Sequence, residues 1–296
     1  MSARKFASFL PPAVNDLRES TSISLAEKIQ QIPILTSLHS LPIATAYVQQ
    51  GTGGTPLILL HGFDSSMLEF SRLLPLLATH NKTWLFDLLG FGFTERPSGL
   101  SFTPATLKTH LYYCWKSLID QPVILIGASM GGAAAIDFAL TYPQAVEKLV
   151  LINSLGYSSW LSIGQFLFPP FDYLAVEFWR QRKLQALTLG SLSGWDSHSL
   201  EALRCVCSHI EMPGWHEALS DFTKSGSYAG LEDKIPLLNT PTQILWGELD
   251  NDLGTDDAWN FKQNIKNSQL IWLSNCGHTP HLEKPAVTAQ HILEFR

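Results

Sequence analysis

The stretch from Val123 to Gly132, VILIGASMGG, constrains the fold more than any other part of the sequence. Its first four residues form an apolar run rich in β-branched side chains, which is typical of a central strand buried on both faces. The alanine-rich residues 133–140 favour a helix directly afterwards. A turn this tight needs small residues, and Gly127 and Gly131 flank Ser129. The pattern predicts a serine hydroxyl exposed at the N-terminus of a helix, where backbone N–H groups stabilise negative charge.

Further strands and helices alternate along the chain. Helices are predicted over residues 67–77 and from Pro104 to Leu118, where the proline occupies the first turn. This alternation predicts an α/β fold with a doubly wound, mostly parallel sheet. The other predicted strands cover residues 34–38, 43–49, 57–60, 83–87, 148–153 and 243–249.

A long interval without strand pattern separates the last two predicted strands. Its roughly ninety residues are consistent with helices, so they must leave the sheet as an insertion. We therefore expect an N-terminal extension over residues 1–32, an α/β core over 33–154 and 236–296, and a helical insertion over 155–235. The insertion is rich in aromatic side chains, including Trp160, Trp179, Trp195 and Trp215.

Composition excludes several classes of partner. The formal net charge is −6 and no run of basic residues is present, so nucleic acid is not an expected partner. The 4 cysteines in 296 residues are too few for a disulfide framework, which favours a reducing, cytoplasmic compartment. The apolar start reaches Pro11 and Pro12 too soon for a signal peptide, and no stretch is apolar enough to span a membrane.

One group of residues resembles a metal site. Cys205, Cys207 and His209 lie close together in sequence, but in a helical pattern, where residues two apart point to divergent faces. A structural role is the favoured interpretation. We expect neither a metal nor another cofactor.

Four motifs together resemble those of the α/β-hydrolase family, over roughly residues 40–296. They are His61-Gly62 after a strand, the G-x-S-x-G pentapeptide around Ser129, an acid after a late strand, and Gly277-His278. The resemblance implies the chain order nucleophile, acid, histidine, with Asp250 as the acid. It also implies that the helical insertion is a cap over the active site.

The resemblance further implies an oxyanion hole made by the backbone N–H groups of Phe63 and Met130. The alternative for the loop at residues 61–64 is an ordinary strand-to-helix connection in which Asp64 caps a helix. Backbone donors of this kind need no metal ion.

The residue types fit nucleophilic catalysis. A serine hydroxyl is a poor nucleophile until an imidazole accepts its proton, and a carboxylate must orient that imidazole. His278 and Asp250 are the candidates for these two roles. His61 and His281 are rival histidines, and Asp252 is the rival acid.

The reaction is less determined than the machinery. A serine nucleophile disfavours the dehalogenase and epoxide-hydrolase branches, which use aspartate. Carbon–carbon bond hydrolases typically carry Asn before the serine and Trp after the histidine, where this chain has Ala128 and Thr279. Arg180 and Arg182 would favour their anionic substrates if they turned inward, whereas a solvated helix face is the alternative.

The cap's aromatic residues favour hydrolysis of an uncharged ester with apolar groups through an acyl-enzyme. Menaquinone-pathway synthases and non-catalytic, receptor-like binding proteins of the same fold are the alternatives. The apolar segment at residues 166–171 could also touch lipid.

Overall fold

One eight-stranded sheet runs through the described residues, 6–157 and 164–295, of the computed structural model. Its strand order is β1-β2-β4-β3-β5-β6-β7-β8. The strands are β1 (Gln30–Ile34), β2 (Ile43–Gln50), β3 (Leu57–Leu60), β4 (Thr83–Phe86), β5 (Val123–Ala128), β6 (Val146–Ile152), β7 (Thr242–Gly247) and β8 (Ser268–Leu273).

Strand direction confirms the predicted fold class. β2 is antiparallel to both of its neighbours, whereas every pair from β4 through β8 is parallel. All residues of β3, β5 and β7 are buried, as continuous apolar runs in a parallel sheet require. Since the carboxyl ends of parallel strands meet at one edge, loops that follow distant strands come together there.

Helices cover both faces of the sheet. Alternate residues of β5 belong to two different hydrophobic clusters, with Val123 and Leu125 in one and Ile124 and Ile126 in the other. The helices are α1 (Ser20–Ala26), α2 (Leu74–Leu77), α3 (Pro104–Leu118), α4 (Met130–Thr141), α5 (Phe171–Leu192), α6 (Ser197–Cys207), α7 (Trp215–Lys224), α8 (Asp256–Asn264), α9 (Pro280–Glu283) and α10 (Pro285–Glu294).

The helix predicted over residues 104–118 has those bounds in the structure. Thr103 forms a capping box with Thr106, and Pro104 lies in the first turn. The prediction succeeds because both signals are local.

Three other predictions need correction. The first strand is Gln30–Ile34 rather than 34–38, so the sheet begins inside the predicted N-terminal extension. An edge strand tolerates its proline, Pro33. The helix predicted over 67–77 is a 3₁₀ helix (Met67–Phe70) followed by α2, which begins at Leu74 and has Pro75 in its first turn. β7 ends at Gly247, two residues before the predicted Leu249.

Helices α5, α6 and α7 lie between β6 and β7, and the described residues of that interval contain no strand. We call residues 155–235 the cap, and its bounds stay a prediction. Trp160 lies outside the described residues. None of the helices described has the combination of length and hydropathy that crossing a bilayer requires.

Candidate active site

Ser129 lies in the turn between β5 and α4, with φ 51° and ψ −121°. A positive φ is uncommon for a residue other than glycine and marks stored backbone strain. Close packing holds the turn in place. A Cβ on Gly127 would lie 2.2 Å from the Gly131 carbonyl oxygen, and one on Gly131 would lie 2.1 Å from that of Leu60. Both positions therefore require glycine, as the sequence predicts.

The structure brings the three predicted triad residues together. His278 Nε2 lies 3.1 Å from Ser129 Oγ, and His278 Nδ1 lies 2.9 Å from Asp250 Oδ2. These distances are within hydrogen-bond reach at both steps. The arrangement allows the imidazole to take a proton from the serine while the carboxylate fixes the orientation of the ring.

Asp250 is held in place by three further donors. Asn153 Nδ2 donates to Oδ2 at 2.7 Å, and the backbone N–H groups of Asp252 and Leu253 donate to Oδ1 at 2.9 and 3.1 Å. Asn153 Oδ1 in turn accepts from the Gly247 N–H at 3.1 Å. The sequence analysis missed Asn153. The available signal was a polar residue directly after the apolar strand β6.

Electrostatics favour an ionised acid and a basic imidazole. Burial raises the pKa of Asp250, but hydrogen bonds from His278 and Asn153 outweigh it and lower the pKa overall. Burial lowers the pKa of His278, but the hydrogen bond and charge of Asp250 outweigh it, so the pKa is raised. The pair is therefore suited to stabilise an imidazolium ion.

The rival acid and the first rival histidine have other contacts. Asp252 supplies a backbone N–H to Asp250, as described above. His61 is fully buried, its Nε2 accepts from the Leu88 N–H at 3.1 Å, and its Nδ1 lies 2.8 Å from the Gly62 carbonyl oxygen. Burial lowers the pKa of His61 to about 3, so the ring is neutral. These contacts shape the loop before Phe63.

The predicted oxyanion donors flank Ser129. Met130 is the first residue of α4, and the first N–H groups of a helix have no partner within it. The loop after β3 approaches from the other side. A Cβ on Gly62 would lie 3.4 Å from Ser129 Cβ, and Phe63 follows directly. The role of Phe63 and Met130 stays a prediction.

Asp64 links this loop to the cap and does not cap a helix. Its buried carboxylate accepts at Oδ1 from Trp215 Nε1 at 2.7 Å and from His209 Nε2 at 3.1 Å. At Oδ2 it accepts from Trp179 Nε1 at 2.7 Å and from Lys183 Nζ at 2.6 Å. All four donors belong to the cap. They anchor the cap one residue away from the predicted oxyanion donor.

These contacts give His209 a structural partner. Cys205 and Cys207 are buried thiols in and at the end of α6, and burial raises the pKa of Cys207 to about 11. Within residues 6–157 and 164–295, the one group of three potential metal ligands is Asp250, Asp252 and His278, with donor atoms within 4.8 Å of one another. Asp250 and His278 of this group are hydrogen-bonded to each other at 2.9 Å. The absence of a metal stays a prediction.

A cavity of about 420 Å³ opens beside Ser129. No lysine or arginine occurs among the described residues that line it. Arg180 is paired with Glu177, Arg182 is exposed, and Lys183 is bound to Asp64. The cavity is lined by Gly62, Phe63, Ser65, Glu69, Ser129, Trp179, Val206, Asn251, Asp252, Leu253, His278, Thr279 and His281.

A smaller apolar pocket of about 140 Å³ lies next to this cavity, on the side of the cap. The cavity and the pocket are both lined by Phe63 and Trp179, whose ring centroids are 6.5 Å apart. The remaining lining is mostly aliphatic. It consists of Gly164, Leu167, Asp172, Ala175, Val176, Leu219 and Thr223.

Comparison with known proteins agrees with this topology. A family model described as alpha/beta hydrolase fold matches residues 55–285. The chain is 30% identical to the alpha/beta hydrolase domain-containing protein VTE7 of Arabidopsis thaliana, over 98% of this chain and 90% of that protein. It is 27% identical to the 2-hydroxy-6-oxo-2,4-heptadienoate hydrolase of Pseudomonas putida, over 78% of this chain and 85% of that one.

A solved structure shares the fold at lower identity. An esterase from Thermogutta terrifontis has a TM-score of 0.74 at 22% identity, covering 90% of this chain and 97% of the other. The strand order, the family match and the extended similarity to VTE7 agree. The chain therefore belongs to the alpha/beta hydrolase family.

Proposed function

We propose that the protein is a serine hydrolase that cleaves an uncharged carboxylic ester with apolar groups. The observation that carries this proposal is the hydrogen-bonded series Ser129, His278 and Asp250 beside a cavity whose described lining has no cationic side chain. A carboxylate substrate would have no positive partner there. An uncharged ester needs none.

The proposed reaction has two halves. Ser129 Oγ attacks the ester carbonyl carbon while His278 Nε2 takes the serine proton, and the backbone N–H groups of Phe63 and Met130 stabilise the oxyanion. His278 then protonates the departing alcohol, which leaves an acyl group on Ser129. A water molecule, deprotonated by His278, attacks this acyl-enzyme and releases the acid.

The apolar pocket supports the apolar part of the substrate. It shares Phe63 and Trp179 with the catalytic cavity, so an alkyl chain passing these rings would reach a mostly aliphatic space. Each buried methylene contributes about 0.8 kcal/mol. We infer that the pocket receives the acyl or alkyl chain.

Carbon–carbon bond hydrolysis is the second candidate. The 27% identical relative from P. putida is named for a heptadienoate, which is a carboxylate. Against this reaction, Arg180 pairs with Glu177 and Arg182 is exposed, so neither contributes to the cavity. A synthase and a non-catalytic binding protein of the same fold are further alternatives. Sustained hydrolysis of an ester by the wild-type protein distinguishes an esterase from both.

We also propose that the cap meets a lipid surface. Five large apolar residues, which we call the aromatic patch, are 53% to 75% exposed around the start of α5. Aromatic residues are favoured at membrane interfaces. The apolar pocket lies between α5 and α7, next to this patch, so an ester would travel a short apolar path. The patch consists of Phe166, Phe168, Phe171, Leu174 and Phe178.

The first prediction concerns chain length. p-Nitrophenyl butyrate and octanoate should have kcat/KM values about tenfold or more above that of the acetate, because the apolar pocket buries their methylenes. Ser129→Ala gives the background rate. If a vinylogous keto-acid is cleaved well while all three esters stay at that background, the protein is a carbon–carbon hydrolase and not an esterase.

The second prediction separates the two acids. Asp250→Asn should lower kcat by on the order of 10³- to 10⁴-fold, because the amide no longer fixes the imidazole tautomer. Asp252→Asn is the matched control and should cost far less, since only its backbone N–H supports Asp250. Steady-state kinetics with p-nitrophenyl butyrate measure both effects. The opposite ranking would assign the role to Asp252.

The third prediction concerns pH. His278 must be neutral to accept the serine proton, and its pKa is raised above the ordinary value of 6.5. The acidic limb of kcat/KM should therefore have its midpoint above pH 6.5, with activity lost as the pH falls through it. A pH profile of wild type between pH 5 and about 9 measures this limb. A midpoint at or below 6.5 would contradict the stabilisation of His278 by Asp250.

The fourth prediction concerns the aromatic patch. The wild-type protein should co-sediment with neutral phosphatidylcholine vesicles, and Phe168→Ser with Phe178→Ser should reduce the bound fraction several-fold. Leu237→Ser is the control, because this residue is also 67% exposed but precedes β7, at the opposite edge of the sheet. Equal binding of wild type and the double variant, or no wild-type binding, refutes lipid contact through the patch.

A further inference from the structure

Three polar residues, Ser65, Glu69 and His281, line one side of the catalytic cavity. We call them the polar corner. Each is at most 6% exposed. Glu69 lies in the 3₁₀ helix Met67–Phe70, and His281 lies in α9, three residues after His278. None of the three has a role in the reaction proposed above.

The hydrogen bonding of His281 is incomplete. Within the described residues, neither ring nitrogen has a hydrogen-bond partner, and Nε2 lies 3.5 Å from Glu69 Oε1. The ring packs on Phe70 with centroids 5.1 Å apart, which fixes its position. Buried polar groups in native proteins are nearly always hydrogen-bonded. The ring therefore carries, beside the cavity, two buried polar atoms to which the described residues supply no hydrogen bond.

Glu69 brings the polar corner close to the nucleophile. Its Oε1 accepts from the Gly62 N–H at 3.1 Å, which uses one of its two oxygens. A Cβ on Gly62 would lie 3.8 Å from Glu69 Oε2 and 3.4 Å from Ser129 Cβ. The second carboxyl oxygen is thus a short distance from the place where the ester reacts.

The protonation states favour an uncharged ligand. Burial lowers the pKa of His281 to about 3, so the ring is neutral and offers one N–H donor and one nitrogen acceptor. Burial raises the pKa of Glu69 to about 7, against hydrogen bonding by the Ser65 hydroxyl and the Gly62 N–H. An anionic group would meet Glu69 and Asp252 with no cationic side chain in the described lining. A group that both donates and accepts hydrogen bonds fits best.

We propose that Ser65, Glu69 and His281 form a subsite for an uncharged hydroxyl group of the substrate, a few bonds from the ester carbonyl. The inference rests on the proposed ester hydrolysis and narrows its substrate to hydroxylated esters. A hydroxyl can donate to Glu69 while it accepts from the ring N–H of His281 or from the Ser65 hydroxyl, or it can donate to the unprotonated ring nitrogen of His281 while it accepts from Ser65. The apolar pocket then receives the remainder of the chain.

Matched ester pairs in which a hydroxyl replaces a methyl group test this subsite. 2-Hydroxyethyl butyrate against propyl butyrate reports a hydroxyl on the alcohol, and p-nitrophenyl 3-hydroxybutyrate against 3-methylbutyrate reports one on the acyl chain. Each kcat/KM ratio is divided by the ratio for hydroxide-catalysed hydrolysis. We expect wild type to prefer the hydroxylated ester in one pair by about tenfold, as for a hydrogen bond in a buried site.

The variants assign that preference to residues. In His281→Phe and in Ser65→Ala the preference should fall to about one, because the partners of the hydroxyl are gone. His80→Phe is the control and should keep the preference, since this exposed residue precedes β4 at the opposite edge of the sheet. Thermal unfolding establishes that each variant folds, and Ser65→Ala carries the test if His281→Phe does not.

Several outcomes overturn the subsite. The absence of a wild-type preference in both pairs overturns it, and so does a preference that survives in Ser65→Ala and His281→Phe. If these variants slow both esters of a pair equally, the polar corner binds a water molecule and not a substrate hydroxyl. If wild type cleaves no ester, the proposed function fails, and the Kd values of 2-hydroxyethyl butyrate and propyl butyrate, measured by calorimetry, then test the subsite. Equal Kd values, or no binding, refute it.

Discussion

Burying a carboxylate costs several kcal/mol unless donors replace the water that it loses. Asp64 is fully buried, and burial alone would raise its pKa, but the charge of Lys183 and the hydrogen bond from His209 outweigh burial and lower it. Its partners come from α5, from α7 and from the connection between α6 and α7. Removing any one of them leaves a buried charge less well compensated. The cap cannot separate from the loop after β3 without exposing or orphaning this carboxylate. The position of Phe63, and with it one wall of the cavity, therefore depends on the cap.

The rest of the site depends on parallel pairing within the sheet. β3 and β5 are adjacent, which brings the Gly62 loop against Ser129, and close contact of Gly131 with Leu60 leaves the turn no freedom. β6 and β7 are also adjacent, so Asn153 reaches the loop that carries Asp250. His278 follows β8 and completes the series. Each of these residues directly follows a strand. The positive φ of Ser129 persists because the buried, hydrogen-bonded strands on both sides of β5 fix the backbone of the turn.

Sequence reasoning succeeded where the signal is local. The turn around Ser129 can be recognised because a tight strand-to-helix turn requires glycine at positions 127 and 131. Helix 104–118 can be recognised because its capping residues are adjacent to it in sequence. It failed where the partner is remote in sequence. Asp64 is indistinguishable from a helix-capping aspartate until its four donors from the cap are known. The role of Asn153 becomes visible only from its contact with Asp250, about a hundred residues later in the sequence. The role of Glu69 becomes visible only from its burial. The first strand was predicted too late in the sequence. The observed edge strand contains Pro33 and few apolar residues, whereas the predicted segment 34–38 is more apolar although its Leu35 is exposed.

The charge arrangement around the cavity argues for discrimination between substrates. Lys183 in α5 donates to both the carboxylate and the carbonyl oxygen of Asp64, so its charge is paired with Asp64. Arg180 is paired with Glu177. What remains in the described lining is acidic or neutral, and a substrate anion would gain no ion pair in exchange for its hydration. The uncharged ester that we propose would lose less hydration on entering and would contact the rings of Phe63 and Trp179. The same anchor that fixes the cap thus also removes the cation that a carboxylate substrate would need.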